Sequence, residues 1–298
     1  MTFSTDSIII KAVTHPDIPV KPEKGKKEKK NVAENHARVI YYRDELGDEF
    51  SSAKIEAKKI DETYRYVRED LFHRALAFFA YRIVATPLSK LCLFLSGHRI
   101  VNRRVLKKTK GNYFLYANHT NAAADPFIPT MVAFPKKVSV IVHPANVSMP
   151  VLGRITPYLG ALPLPDTLKA TENFLSALDL RVKQADAICI YPEAHIWPYY
   201  TGIRNFKDAS FRYPVQYGSP VFAFTNTYHK RKFFKKPKIV TYVDGPFYPD
   251  KTLPAKEAKR KLRDEVYAAM VARSKLSDID YIVYLPETEK EEPKAGEE

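Results

Sequence analysis

His119 and Asp125 are the residues best suited to chemistry. They follow the apolar run Tyr113-Phe114-Leu115-Tyr116-Ala117, in the stretch Asn118-His119-Thr120-Asn121-Ala122-Ala123-Ala124-Asp125. An imidazole at the end of a buried strand can take a proton from a hydroxyl. A carboxylate within a turn or so of it fixes the tautomer and favours the imidazolium that forms. No Ser or Cys nucleophile in a GxSxG-type turn accompanies the pair, which favours direct attack by a bound alcohol over a covalent hydrolase. In the bland alternative Asn118 and Asp125 cap local backbone and His119 is a satisfied loop residue.

A second polar junction follows another apolar run, in Ile190-Tyr191-Pro192-Glu193-Ala194-His195-Ile196-Trp197-Pro198. Glu193 would lie beside His119 if the two strands are close, where a carboxylate could orient an acceptor or hold a cation. The plain alternative is a polar strand exit with Trp197 packed on its prolines. A third feature, His229 to Lys238, sets six cations around Phe233 and Phe234. It could stack and clamp nucleic acid, press on anionic headgroups, or receive the phosphates of a donor. A solvated hairpin is the remaining reading.

The elements that position these residues alternate. Asn112 to Ala117, Val138 to Val142, Ala187 to Tyr191, Val221 to Thr225 and Ile239 to Val243 read as strands, rich in Val, Ile, Tyr and Phe and continuous enough to be buried on both faces. Thr167 to Gln184 and Pro254 to Arg273 read as helices. Alternation of this kind predicts an α/β fold: a mostly parallel central sheet flanked by helices. In such sheets ligands bind at the carboxyl ends of strands, where His119 and Glu193 fall.

Leu71 to Leu95 is the most apolar segment, yet His73, Arg74, Arg82 and Lys90 recur through it and Pro87 interrupts it. A charge at a bilayer centre costs about 2.5 to 3.5 kcal/mol, which disfavours a spanning helix. Phe79 and its apolar neighbours instead recur at helical spacing, with Arg74 and Arg82 able to reach phosphate headgroups, as in amphipathic membrane-interface helices. A core helix is the alternative.

The chain has 298 residues and a net charge of +14, and the stretch from Pro286 to Glu298 carries six Glu against two Lys. The remainder therefore holds about +18, which points to an anionic partner. Cys92 and Cys189 are far apart with no CxxC, so neither a disulfide framework nor a metal site is expected. No secretory signal is read at the N-terminus, and the compartment expected is reducing and cytosol-facing. The layout expected is a flexible basic arm (1–35), a helical membrane-interface segment (36–98), an α/β domain (99–285) and an acidic tail (286–298).

The ordered blocks resemble the glycerolipid acyltransferases that acylate lysophosphatidic acid. Asn118-His119 to Asp125 is similar to that family's Asn-His-x4-Asp, and Gly160-Ala161-Leu162-Pro163-Leu164-Pro165-Asp166 to its glycine-led second block. Tyr191-Pro192-Glu193 resembles Phe-Pro-Glu-Gly-Thr-Arg, Phe206-Lys207-Asp208-Ala209 resembles Phe-Lys-x-Gly, and Gly218-Ser219-Pro220-Val221 resembles Gly-x-Pro-Val. Three departures stand out. Five residues separate His119 from Asp125 instead of four, Asp166 replaces the arginine that closes the second block, and Ile196 replaces that of the third.

The resemblance implies His119 as general base, Asp125 as its orienter and Glu193 as an acceptor-side or supporting carboxylate. It also implies Asn118, Arg154, Arg204 and Lys207 on the substrate side, the cations meeting phosphate in place of the missing arginines. No metal or tightly held cofactor is implied, since the thioester donor, acyl-CoA or acyl carrier protein, is a substrate. The expected partners are that donor, a lysophospholipid acceptor and anionic membrane lipids at the cytoplasmic face of a membrane, with the protein peripheral. A non-catalytic basic protein that binds membrane surfaces or nucleic acid is the rival reading.

Overall fold

The computed structural model of the chain describes residues 38–50, 55–68 and 70–289. The basic arm and the acidic tail beyond residue 289 lie outside the described residues.

In chain order come β1 (Arg38–Tyr42), α1 (Leu71–Phe78), a π-helical stretch (Phe79–Ala85), α2 (Thr86–Leu95), β2 (Arg99–Val101) and β3 (Tyr113–Ala117). Then follow α3 (Ile128–Ala133), β4 (Val138–Val142), α4 (Leu152–Ile155), β5 (Ala161–Pro163), α5 (Leu168–Lys183) and β6 (Ala187–Ile190). The chain continues with α6 (Arg212–Tyr217), β7 (Val221–His229), β8 (Lys238–Phe247), α7 (Ala255–Ser274) and β9 (Ile282–Pro286). Seven strands form the central sheet in the order β2-β8-β7-β3-β6-β4-β5. Every pairing in it is parallel except the hairpin β7–β8.

The central strands are apolar on both faces because both faces are covered. Phe114, Tyr116, Ile188 and Ile190 pack with Phe174 and Leu178 of α5 and Leu262 and Val266 of α7. Tyr113, Leu115, Ala117 and Cys189 pack on the other side with Ile128 and Val132 of α3. This two-layer burial produces continuous apolar runs in place of alternation. Helix α5 starts where Thr167 Oγ1 accepts the Ala170 N–H at 3.1 Å, an N-cap, and carries Arg181 and Lys183 in its last turn. Gly160 leads into β5 at φ +97°, with its Cβ position 2.3 Å from the Val138 carbonyl oxygen, so a side chain there would collide with backbone.

The segment 36–98, expected to be helical, opens instead on a strand. β1 pairs in parallel with β9, residue Arg38 facing Ile282 and Tyr42 facing Pro286, as a separate two-stranded sheet. Its aromatic side chains, with Phe50, enclose Trp197. Trp197 is thus the centre of a small second core, and its Nε1–H donates to the Asp48 carbonyl at 2.8 Å.

Residues 71–95 form one continuous helical run that is long and apolar enough to cross a membrane by length and composition. Only one edge of it is buried, through Tyr81, Thr86, Ser89 and Leu93. Leu71 is 82% exposed and Phe94 79%, and Phe72, Phe78, Phe79, Ile83, Leu88 and Leu91 are exposed between them. A packed core helix would not present such a face, so the core-helix alternative falls. Pro87 does not break the run. The π-helical stretch ends directly before it, and a wide turn accommodates a ring that would otherwise press on the carbonyl one turn back. At the far end, Arg231 of the β7–β8 loop donates to the Ser96 carbonyl at 2.9 Å. The same guanidinium lies over the exposed Phe234 ring at 4.6 Å, which ties the loop tip to the end of the exposed helix.

Candidate active site

β3 is central, with β7 on one side and β6 on the other. The connection from β3 to β4 runs past β6 and that from β6 to β7 runs back past β3, with α3 on one face of the sheet and α6 on the other, and a crevice opens at such a point. His119 comes off β3 and Glu193 off β6.

His119 Nδ1 lies 2.8 Å from Asp125 Oδ2. The imidazole is 19% exposed while the Asp125 carboxylate is almost fully buried. Asp125 Oδ2 also accepts the Asn121 N–H at 3.0 Å, so the carboxylate is fixed by backbone as well as by the ring. With Nδ1 committed to Asp125, Nε2 bears no protein hydrogen bond among the described residues and faces outward. The Tyr191 ring stacks on the imidazole, centroids 4.4 Å apart and planes at 26°. Its hydroxyl donates to the Asp125 carbonyl at 2.8 Å, and burial pushes this phenol well above its ordinary pKa, so it serves as a neutral donor. Sequence reasoning passed over Tyr191 as a partner. The signal available was the hydroxyl itself, since the resembled block has Phe at that place.

Asn118 is buried and does not face the crevice. Its amide exchanges two hydrogen bonds with Asn226, donating to the Asn226 carbonyl at 3.0 Å and accepting its N–H at 2.8 Å. It therefore ties the end of β3 to β7, a positioning role in place of the substrate contact expected.

Glu193 is also turned inward. Oε2 accepts the His119 N–H at 3.1 Å and Oε1 accepts the Arg204 N–H at 3.1 Å. The Arg204 Nη2 lies 3.3 Å from Oε2. Burial pushes the Glu193 pKa up, and the Arg204 charge pulls against that. Glu193 thus holds the backbones of the two catalytic-side loops together and leaves no oxygen for an acceptor.

Arg204 was expected to meet phosphate, and the structure corrects this. It is 1% exposed, its guanidinium lies over the Trp197 ring at 4.9 Å, and Nη2 donates to the His195 carbonyl as well as to Glu193. Its two Nη groups are spent on the fold, and its Nε is buried without a partner. The net charge of the loop gave no hint of this, because burial alone separates a structural arginine from a solvent-facing one. Lys207 is exposed three residues on, and Arg154 is exposed on α4. Arg74 and Phe79 are exposed and Arg82 is half-buried along the apolar run, its guanidinium 5.6 Å over Tyr81.

The arrangement can accept a proton at His119 Nε2 and stabilise the resulting imidazolium through Asp125. No serine or cysteine hydrogen-bonds to His119 among the described residues, and Cys189 is buried inside the sheet with its thiol pushed well up in pKa by burial.

No family model matches the chain, and no curated protein matches it. Among solved structures it is similar to the 1-acyl-sn-glycerophosphate (LPA) acyltransferase PlsC from Thermotoga maritima. Identity is 15% and the TM-score 0.46, over 69% of this chain and 96% of that one.

Proposed function

We propose that the protein transfers a fatty acyl group from an acyl thioester to a hydroxyl of a lysophospholipid, with lysophosphatidic acid as the acceptor and phosphatidic acid as the product. The observation that carries this reading is the His119–Asp125 pair at the end of β3, with Nε2 open and no nucleophilic side chain beside it. The acceptor hydroxyl gives its proton to Nε2 as its oxygen bonds the thioester carbonyl carbon. The C–S bond then breaks, and the departing thiolate of coenzyme A or acyl carrier protein takes the proton back from the imidazolium. Asp125 stabilises that imidazolium, Tyr191 fixes the ring plane, and Glu193 with Arg204 fixes the backbone that carries it.

The exposed run from Leu71 to Leu95 supports a peripheral seat on the cytoplasmic face of a membrane, where Arg74 and the cations of the β7–β8 loop meet anionic headgroups. The two phenylalanines at the tip of that loop, near the apolar helix end, favour a lipid surface over nucleic acid.

The test is release of free thiol from acyl-CoA and from acyl carrier protein thioester, each with and without lysophosphatidic acid. Acceptor-dependent thiol release that disappears in His119→Ala supports the proposal. Acceptor-independent release, or none with any lysophospholipid, would overturn it.

A further inference from the structure

Outside the His119 crevice, the described residues enclose a cavity of about 340 Å³ at the β5 edge of the sheet, and no residue of the His119 constellation lines it. Its walls carry Lys58, Tyr64, Arg68, His73, Arg154 and Tyr158. Three of these six are permanent cations, and among the described residues none of the three is paired with a carboxylate. Lys58 and Arg68 instead lie over aromatic faces, Lys58 at 5.8 Å from the Tyr64 centroid and Arg68 at 5.0 Å from that of Tyr158. The nearby carboxylate, Asp70, is already engaged, accepting the His73 N–H as the N-cap of α1 and lying 2.7 Å from His73 Nδ1.

The Tyr64 ring lines the cavity beneath Lys58, and an anion rich in oxygen would meet the three cations together.

The segment that brings the cations is built for the purpose. Residues 55–68 have no regular secondary structure, yet they are sewn along the edge of the sheet. Ile60 and Asp166 exchange two hydrogen bonds, Ile60 N–H to Asp166 Oδ2 at 2.7 Å and Asp166 N–H to the Ile60 carbonyl at 3.0 Å. The Lys58 N–H donates to Ser148 Oγ at 2.9 Å, and the Tyr66 hydroxyl to the Pro163 carbonyl at 2.9 Å. Around the cavity stand exposed apolar side chains, Leu71 and Phe72 at the start of α1 and Val151 and Leu152 by Arg154.

The geometry points to a phosphate site for a glycerophospholipid headgroup: the phosphate oxygens would meet Arg68, Arg154 and Lys58, and the acyl chain would leave across the neighbouring apolar side chains. Guanidinium groups suit this ligand because their planar donors match phosphate oxygens. The phosphate could belong to the acceptor or to a bilayer lipid, and the site does not depend on acyl transfer for its chemistry.

Binding decides it without any turnover. Sedimentation of the full chain would be compared on phosphatidylcholine vesicles carrying phosphatidate and on vesicles of matched charge carrying oleate. The wild type should prefer phosphatidate. Arg68→Gln/Arg154→Gln should need about ten-fold more phosphatidate vesicle for half-binding while keeping its affinity for oleate vesicles. Titration with a short-chain lysophosphatidate below its micellar concentration separates the sources. Loss of that binding in the double variant assigns the site to the acceptor, and its persistence beside weakened vesicle binding assigns it to a bilayer lipid. A wild type that treats the two vesicles alike, or variants that keep both the phosphatidate preference and lysophosphatidate binding, would overturn the proposal.

Discussion

Five residues separate His119 from Asp125, and Nδ1 still lies 2.8 Å from the carboxylate. The additional residue is taken up in a tight turn. The Asp125 N–H donates to the Asn121 carbonyl at 2.8 Å, while Asn121 Oδ1 accepts the Ala124 N–H at 3.0 Å, so an Asx-type cap closes the loop over its own backbone. The Tyr191 hydroxyl then clamps the carbonyl of Asp125 from the neighbouring strand.

Asp125→Asn should lower thiol release about 10²- to 10⁴-fold, the range by which general acid–base groups accelerate reactions, because an amide cannot stabilise the imidazolium. The fold should persist, since the amide can still accept the Asn121 N–H. Far-ultraviolet dichroism together with steady-state turnover checks both halves, and activity within a few-fold of wild type would remove Asp125 from the mechanism.

Arg204→Ala should act on stability. Removing one partner of a buried ion pair leaves the other charge unsatisfied, at a cost of about 3 to 5 kcal/mol. Thermal melting should fall by roughly 2 to 4 °C for each kcal/mol in a domain of this size. Replacing both partners, as Glu193→Leu/Arg204→Met, should recover much of the loss of stability without restoring turnover, since the His119 N–H would lose its acceptor. A melting temperature untouched by Arg204→Ala would mean the pair is not formed in solution.

His98 sets an acid limit. Its Nε2 lies 2.7 Å from Thr241 Oγ1, its Nδ1 is buried without a partner, and burial pushes its pKa from 6.5 down to about 4. The unfolded chain binds a proton there that the fold refuses. The contribution of the neutral ring is therefore complete above about pH 6.5 and is lost as pH falls toward 4, in all roughly 3 kcal/mol. Urea midpoints for His98→Gln should fall less steeply than wild type across that window. Parallel curves would show the ring to be reached by water.

Phe79→Asp should leave unfolding within about 0.5 kcal/mol of wild type, because the side chain is exposed, and should reduce sedimentation with anionic vesicles. Salt should weaken wild-type binding without abolishing it, since screening acts on the cations while apolar insertion persists. Unchanged sedimentation of the variant would free this face of any lipid role.

The legible parts of the fold are those buried on both sides. β3, β4, β6 and the hairpin β7–β8 announce themselves as apolar runs, and α5 and α7 as periodic ones, with ends shifted by a residue or two. β7 and β8 extend further than their apolar cores suggest because the polar end of each pairs with the apolar part of the other, Thr227 with Val240 and Asp244 with Ala223. β2 and β5 have three residues each and lean on a longer neighbour for register, so their own composition carries little signal. β1 and β9 bury one face only, against Trp197, and each lies in sequence beside stretches of different character. In the site, His119 and Asp125 are readable from residue type and place. The inward turns of Asn118, Glu193 and Arg204 are not, because a polar side chain after a strand looks the same in sequence whether it serves ligand or backbone.

The pairing of β1 with β9 has a consequence in time. Trp197 stacks on Tyr284 at 4.8 Å, and the loop holding Glu193 and Arg204 rests on that small core, so its support comes from a strand made after the whole of the central sheet. During synthesis, N-terminal to C-terminal, the sheet and His119 can be in place well before Ile282 to Pro286 leaves the ribosome. Chains stalled short of Ile282 are expected to hold a formed sheet beside an unsettled Glu193 loop and to be inactive, gaining activity only once β9 has emerged and paired with β1. Activity in a stalled chain of that length would contradict the expectation.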